Sequence, residues 1–290
     1  MAQTVLQLVL SGLAMGFIYS LVGIEFTIIF NASNLVNFAH DKFIMFGAYI
    51  FAGTFVLHLG LNPIVALILT LVVMAIFGVV VAYGIFNPLR NMSSDIFAVM
   101  GTIMLAKILT EAVRLIWGPT PFTIPGFLTG TIQIGSLVMA KANIYIIVVS
   151  LLLVGGLQLF FKKSKLGKAM RCIAQNKEAS ALMGINVPKS ISLTIALSSM
   201  ICAVIGILII PLFNVDGNMA SMIGLKGFAA GVIGGFGYLP GCIVGGLFIG
   251  ILENLSVLVI PAVYKDVVSF VLLIAFLLVV PGGILKKKAA

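Results

Sequence analysis

Charge is what this sequence has least of. Of 290 residues, 17 are Lys or Arg and 8 are Asp or Glu, together 9% of the chain, where a soluble globular domain carries about 25%. So little charge cannot keep a folded body in water, which excludes a soluble enzyme and leaves no room for an enzyme domain hung on an anchor. Histidine is nearly absent, and His40 and His58 alone support no metal site. Three cysteines, Cys172, Cys202 and Cys242, are an odd number without paired or metal-type spacing. They predict no disulfide or zinc site, only small buried residues. No nucleophile stands beside a base in a pattern that would mark a catalytic centre.

What the chain has in abundance is apolar sequence: 61% of residues are hydrophobic and the mean hydropathy is +1.26. Runs bounded by turn signals fall at about 5–30, 39–60, 62–86, 96–116, 143–161, 190–213, 222–237, 240–260 and 265–284. They predict an all-α, polytopic integral membrane protein with about eight or nine transmembrane helices. The runs at 39–60 and 222–237 are interrupted by polar residues or glycine and are expected to be broken or re-entrant. Asn62-Pro63 and Asn87-Pro88 mark breaks, and Gly118-Pro119 through Pro125 opens a loop reaching about Asn143. The first residues carry no basic n-region or cleavage pattern, so the first helix is expected to be retained.

The few basic residues are unevenly placed. Seven lie between Lys162 and Lys189, and three more are Lys286, Lys287 and Lys288. Beside hydrophobic runs, such clusters mark the cytoplasmic side and not a nucleic-acid partner. With 162–189 in the cytoplasm and nine crossings, that side also receives Lys42 and Arg90, while Lys141 and Lys265 fall outside. The C-terminus is then cytoplasmic and the N-terminus external.

Three kinds of residue within the runs stand out. Gly12 and Gly16, Gly241 and Gly245, and Gly246 and Gly250 are small-xxx-small pairs that let helix backbones approach. Packing within one chain is the commoner use, a subunit interface the alternative. Lys107, Glu111 and Arg114 share one helix face. At about 2.5–3.5 kcal/mol per charge at the bilayer centre, that face should meet protein, a water-filled pathway or the outer interface. A structural ladder near the outer end is the commoner arrangement, and the lining of a pathway for a zwitterionic solute the functional alternative. Glu25 is placed near the cytoplasmic interface, and Glu253, deep in its run, needs a partner or a proton. Lys226 is a candidate partner. His40 beside Asp41 reads as a hydrogen-bonded cap, with a proton relay as the alternative.

The 162–189 segment holds the clearest local signal. Asn176-Lys177-Glu178-Ala179-Ser180-Ala181-Leu182-Met183-Gly184 predicts a two-turn helix with an Asn N-cap, an acid in its first turn and a glycine at C′. Pro188 then stops continuation. Leu182 and Met183 give the helix apolar surface, which suits a groove on another protein. A basic amphipathic loop lying on lipid headgroups fits equally well. No Walker-type phosphate loop occurs: the single Gly-Lys pair, Gly167-Lys168, is followed by alanine and lacks the upstream glycine. This chain is therefore not expected to bind ATP.

Glu178-Ala179-Ser180 followed by Gly184 resembles the coupling loop by which permeases of ATP-binding-cassette importers engage their ATPases. The wider string from Leu166 to Asn186 is similar to the LivH-type permease family of branched-chain amino-acid transporters. So are Asn37-Phe38-Ala39-His40, Gly47-Ala48-Tyr49, Gly118-Pro119, Gly224-Leu225-Lys226, Gly234-Gly235-Phe236-Gly237 with Pro240-Gly241, and Pro281-Gly282. Each is weak alone, but their order covers nearly the whole chain. The resemblance implies one permease domain over 1–290 with a cytoplasmic coupling loop at 162–189, in a bacterial inner membrane. It further implies two separate ATPase subunits holding ATP and Mg, a second related permease and a periplasmic or extracellular amino-acid-binding protein. Asn176, Glu178, Ala179, Leu182, Met183 and Gly184 are the expected ATPase contact. Asn37, His40, Asp41, Lys107, Glu111, Arg114, Lys226 and Glu253 are candidates for the pathway or its gate. The sequence departs from the family at Asp41, where glycine is usual, and at Cys172 and Ser180, where alanine or another small residue is usual. An ion-coupled secondary transporter or channel, using carboxylates such as Glu25 and Glu253, is the rival reading.

Overall fold

The computed structural model describes residues 2–90, 95–134, 137–280 and 282–285. Lys286, Lys287, Lys288 and Pro281, singled out above, lie outside the described residues. Among the described residues the chain is all-α apart from one pair of short strands. Its helices are α1 (Ala2–Ser33), α2 (His40–Tyr49), α3 (Pro63–Val81), α4 (Asn87–Arg90), α5 (Asp95–Trp117) and α6 (Lys141–Lys163), then α7 (Lys165–Gln175), α8 (Lys177–Leu182), α9 (Val187–Ile209), α10 (Ser221–Gly234), α11 (Leu239–Ser256) and α12 (Lys265–Val279). Strands β1 (Thr131–Ile134) and β2 (Leu137–Ala140) pair antiparallel ahead of α6, inside a stretch expected to be loop alone.

Seven helices among the described residues are long and apolar enough to cross a membrane, where eight or nine were expected. The difference lies in the two interrupted runs. The run at 39–60 does not break: α2 passes at Ile50 into wider π turns that continue to His58. The run at 222–237 yields α10, whose 14 residues reach about 21 Å, short of a hydrocarbon core of about 30 Å.

Helix starts follow the chemistry of their caps. Asn62 is extended, and its side chain accepts a hydrogen bond from the Ile64 N–H at the start of α3. Asn186 does the same for Lys189 at the start of α9. Pro188 sits in the first turn of α9, where its missing N–H costs nothing, so it opens a helix where it was expected only to stop one. Pro88 did not end its helix either. The backbone widens into π turns over Ala82–Phe86 and runs on as α4. The extra residue relieves the clash between a proline ring and the carbonyl one turn back.

The chain divides into two compact units. One comprises Met1–Thr27, Gly126–Val154 and Met222–Ala290, and is held by α1 running against α11. A Cβ on Gly12 would stand 2.8 Å from the Gly250 carbonyl oxygen, and one on Gly16 2.9 Å from the Leu247 Cα. The small-residue pairs thus pack within the chain, as the commoner use anticipates. Ser20 extends the same stripe, donating to the Ile243 carbonyl at 3.0 Å.

The other unit comprises Ile28–Pro125 and Gly155–Ser221. Its centre is α9, buried along most of its length and flanked by α2 and α3. A Cβ on Gly47 would lie 2.6 Å from the Ala203 Cα, and one on Gly78 2.6 Å from the Ala196 Cα. Phe43, Phe46, Phe77, Tyr49 and Trp117 make a chain of aromatic contacts with centroids 4.9–6.3 Å apart. Cys202 and Cys242 are buried as expected, but Cys172 is exposed. It lies on α7, an amphipathic helix that sequence reading passed over and that buries only Gly167, Met170 and Ile173.

Gly250→Leu should force α1 and α11 apart, at a cost of about 1–3 kcal/mol for overpacking. The thermal midpoint of the detergent-solubilised protein should fall by several degrees, whereas Gly84→Leu, with open space around it, should leave the midpoint in place.

Candidate functional site

The 162–189 segment folds as two helices, α7 and α8, and not one. Asn176 separates them: extended, it caps α8 by accepting from the Ala179 N–H at 2.9 Å. Gly184 then turns the chain away with φ +83°, a value open to glycine and costly for other residues. Ser180 turns its hydroxyl back to the Asn176 carbonyl at 2.7 Å and is buried. Lys177 ties the start of α8 to the end of α1 by donating to the Ser33 carbonyl at 2.8 Å. Glu178 and Ala179 are exposed. Leu182 and Met183 are 89% and 83% exposed. A short helix thus stands fixed at both ends with its apolar tips bare.

In the unit built on α1 and α11, the isolated ionisable residues come together. Lys226 of α10 lies 2.7 Å from Glu253 of α11 and 2.6 Å from Asp266 of α12. Glu253 also accepts from Tyr19 Oη of α1 at 3.2 Å and from Ser269 Oγ of α12 at 2.9 Å, with Lys265 Nζ at 3.9 Å. Three donors saturate a carboxylate that is 1% exposed, so four helices meet at one neutralised knot. The Lys226–Glu253 pairing was legible; Tyr19, Asp266 and Ser269 were not. Asp266 and Ser269, one turn apart near the start of a helix that follows Glu253 across a short loop and is apolar beyond them, were the available signal. Glu25, expected near the cytoplasmic interface, is fully buried within the protein.

The remaining candidates lie in the unit built on α9. Asn37 is 1% exposed; its Oδ1 accepts from the Ala39 N–H at 2.9 Å, and its Nδ2 has no hydrogen-bond partner among the described residues. His40 is buried, with Nδ1 3.2 Å from the Asn37 carbonyl. Asp41 pairs with Lys42 at 3.3 Å and accepts from Ser221 Oγ at 3.0 Å. Lys42 Nζ donates to Ser221 Oγ and to the Gly217 carbonyl, each at 3.0 Å, which sets it past the far end of α9 and not on the side of the 162–189 segment, where its charge was expected. Asp41 is therefore built into a polar clasp between the start of α2 and the segment that follows α9. The three-charge face of α5 is only partly a ladder. Arg114 bonds Glu111 at 3.1 Å, while Lys107 is exposed and has no ion-pair partner among the described residues. No group of His, Cys, Asp or Glu among the described residues has the arrangement of a metal site.

Seven helices among the described residues, long and apolar enough to cross a membrane, mark a multi-pass membrane protein, and comparison with known proteins identifies which kind. The chain belongs to the family of branched-chain amino acid transport system permease components, whose pattern matches residues 8–277. It is 31% identical to the high-affinity branched-chain amino acid transport system permease protein LivH of Salmonella typhimurium, over 97% of this chain and 96% of that one. It is 33% identical, with the same coverage, to BraD of Pseudomonas aeruginosa, a permease protein of the same description. A probable LivH of Methanocaldococcus jannaschii is 28% identical over 91% of this chain and 87% of that one. No solved structure matches the chain.

Removing one partner of a buried ion pair leaves the other uncompensated, at a cost of about 3–5 kcal/mol. Lys226→Met should therefore lower stability by that order in detergent. The double variant Lys226→Met/Glu253→Gln should recover more than half of the loss, because Asp266, 36% exposed, retains access to water. Equal losses in the two variants would show that the pair is not coupled.

Proposed function

We propose that this chain is the membrane-spanning permease subunit of an ATP-driven importer for branched-chain or related amino acids, working in the bacterial cytoplasmic membrane. The observation that carries the reading is α8. Its Asn176 cap, bare Leu182 and Met183, exposed Glu178 and terminal Gly184 make a rigid apolar knob flanked by basic residues, a shape suited to a groove on a separate subunit. The membership of the family and the LivH and BraD relatives support the substrate class.

In this reading two ATPase subunits hold ATP and Mg and receive α8, and a second, related permease completes the pathway. A periplasmic or extracellular binding protein delivers the solute on the opposite side. The chain itself holds no cofactor. The 162–189 segment faces the cytoplasm, following the cluster of basic residues it carries. Closure of the ATPases on ATP would reach the helices through α8, and transport follows because the two states of the pathway are stabilised unequally by ATP and by the delivery protein. Lys107, Glu111 and Arg114 sit on an exposed face of a spanning helix, an arrangement lipid tolerates poorly; the second permease or the pathway itself is the fitting neighbour.

An ion-coupled transporter would need accessible carboxylates within its spans. Glu253 does not suit that role, being enclosed by Lys226, Tyr19 and Ser269.

Two substitutions test the reading in vesicles containing the assembled transporter. Glu178→Ala should reduce leucine uptake. Gly184→Pro should abolish it, because a proline ring fixed near φ −65° cannot occupy a backbone at +83°. Both variants should remain in the membrane. Uptake that persists without ATPase subunits and follows an ion gradient would sink the proposal.

A further inference from the structure

A cavity of about 410 Å³ lies in the unit built on α9, lined by Tyr49, Thr110, Arg114, Pro119, Asp216 and Asn218 among others. Its position is set by covalent geometry. α9 begins just after α8, runs 23 residues, about 34 Å, and ends where the loop carrying Asp216 starts. The cavity therefore stands a helix length away from the proposed ATPase contact, at the end where a delivered solute would arrive.

Its walls are built. Phe122 and Val215 exchange two backbone hydrogen bonds, at 3.2 and 2.8 Å, which clamp the loop after α5 to the loop after α9. The Asn218 N–H donates to Asp216 Oδ1 at 2.6 Å, and the other Asp216 oxygen makes no hydrogen bond among the described residues. Lys42 holds the Gly217 carbonyl, so the clasp with Asp41 supports this wall. Tyr49 stacks edge-on against Phe122, with centroids 5.4 Å apart, and gives the cavity an aromatic side. Arg114 spends Nη1 on Glu111, which leaves most of its five donors for another acceptor.

One guanidinium and one carboxylate on the same small cavity, with proline and aromatic surface between polar groups, are complementary to a molecule bearing one charge of each sign and an apolar body. A cavity of this volume falls within the range of small-molecule sites, about 300–1,000 Å³. We propose that this cavity binds the transported amino acid as a zwitterion, with Arg114 taking the carboxylate and Asp216 the ammonium group. The assignment rests on the permease reading and adds to it a place and a polarity of binding.

The test uses the full transporter complex in lipid nanodiscs without the delivery protein, and equilibrium binding of three probes. They are L-leucine, L-leucinamide, which lacks the carboxylate, and 4-methylpentanoate, which lacks the ammonium group. Arg114→Gln should weaken leucine about tenfold, the loss expected for a hydrogen bond to a charged group that is partly open to water, and leave leucinamide unchanged. Asp216→Asn should weaken leucine to a similar degree and leave 4-methylpentanoate unchanged, and Asp216→Glu should retain leucine binding. Leucine binding equal to wild type in both variants would overturn the proposal. So would loss of all three probes together, or a wild-type complex that binds none. ATP-driven leucine uptake on the same preparations separates the two claims. Uptake that depends on ATP but ignores both cavity substitutions defeats this site and leaves the permease reading intact, whereas uptake indifferent to ATP defeats the reading itself.

Discussion

A charge placed where water cannot follow must be matched by the protein, and in this chain that requirement organises an entire unit. Lys226 sits in the middle of a helix too short to span on its own, and its ammonium is answered from α1, α11 and α12 at once. Hydrocarbon offers no hydrophobic force to drive helices together. The orientation of these four helices is instead specified by two things that lipid cannot imitate, close contact of glycine faces and a saturated ionic knot. The first lets α1 and α11 approach; the second fixes how far each is rotated about its own axis.

The other unit relies on helix caps where the first relies on a buried ionic knot. Asn62, Ser164, Asn176 and Asn186 each place a side-chain oxygen on an orphan N–H at a helix start. Where the chain interrupts itself between α1 and α2, Ser33 and Asn37 bond the local backbone and Thr102 of α5 accepts from the Phe38 N–H. Irregular backbone near spanning helices is tolerated when protein groups answer it, and here they do.

The features legible from residues alone were those with a local cause. The capped α8 and its αL glycine, the Asn62-Pro63 helix start and the close-packing glycines depend on a few neighbouring residues, and each stands where its chemistry puts it. Lys226 and Glu253 were paired because each is isolated in apolar sequence and needs an opposite charge. Their three further partners come from distant segments, and no spacing in the chain announces that Tyr19 and Ser269 will share one carboxylate. Pro88 misled because a proline is read as a break, whereas π turns absorb it. α7 was missed because it is short, with only Gly167, Met170 and Ile173 buried along one face. The pair of strands before α6 was missed because a four-residue strand carries too little periodicity to outweigh the glycines and prolines ahead of it.

The proposed ATPase contact at α8 would give α9 a mechanical meaning. The helix is enclosed on most sides, and it meets α2 and α3 where glycines bring the backbones together, at Gly47 and Gly78. Large side chains would interlock there and resist displacement; smooth contacts resist separation but not sliding. Helices packed in this way accommodate shear of about 1–2 Å at little cost, and a continuous hydrogen-bonded helix is stiff along its axis. In the ATP-driven importer proposed above, α9 would then act like a piston rod in its sleeve: a push at the end next to α8 would have one easy direction of travel, and would arrive at the far end as a displacement of the loop that begins at Ile210.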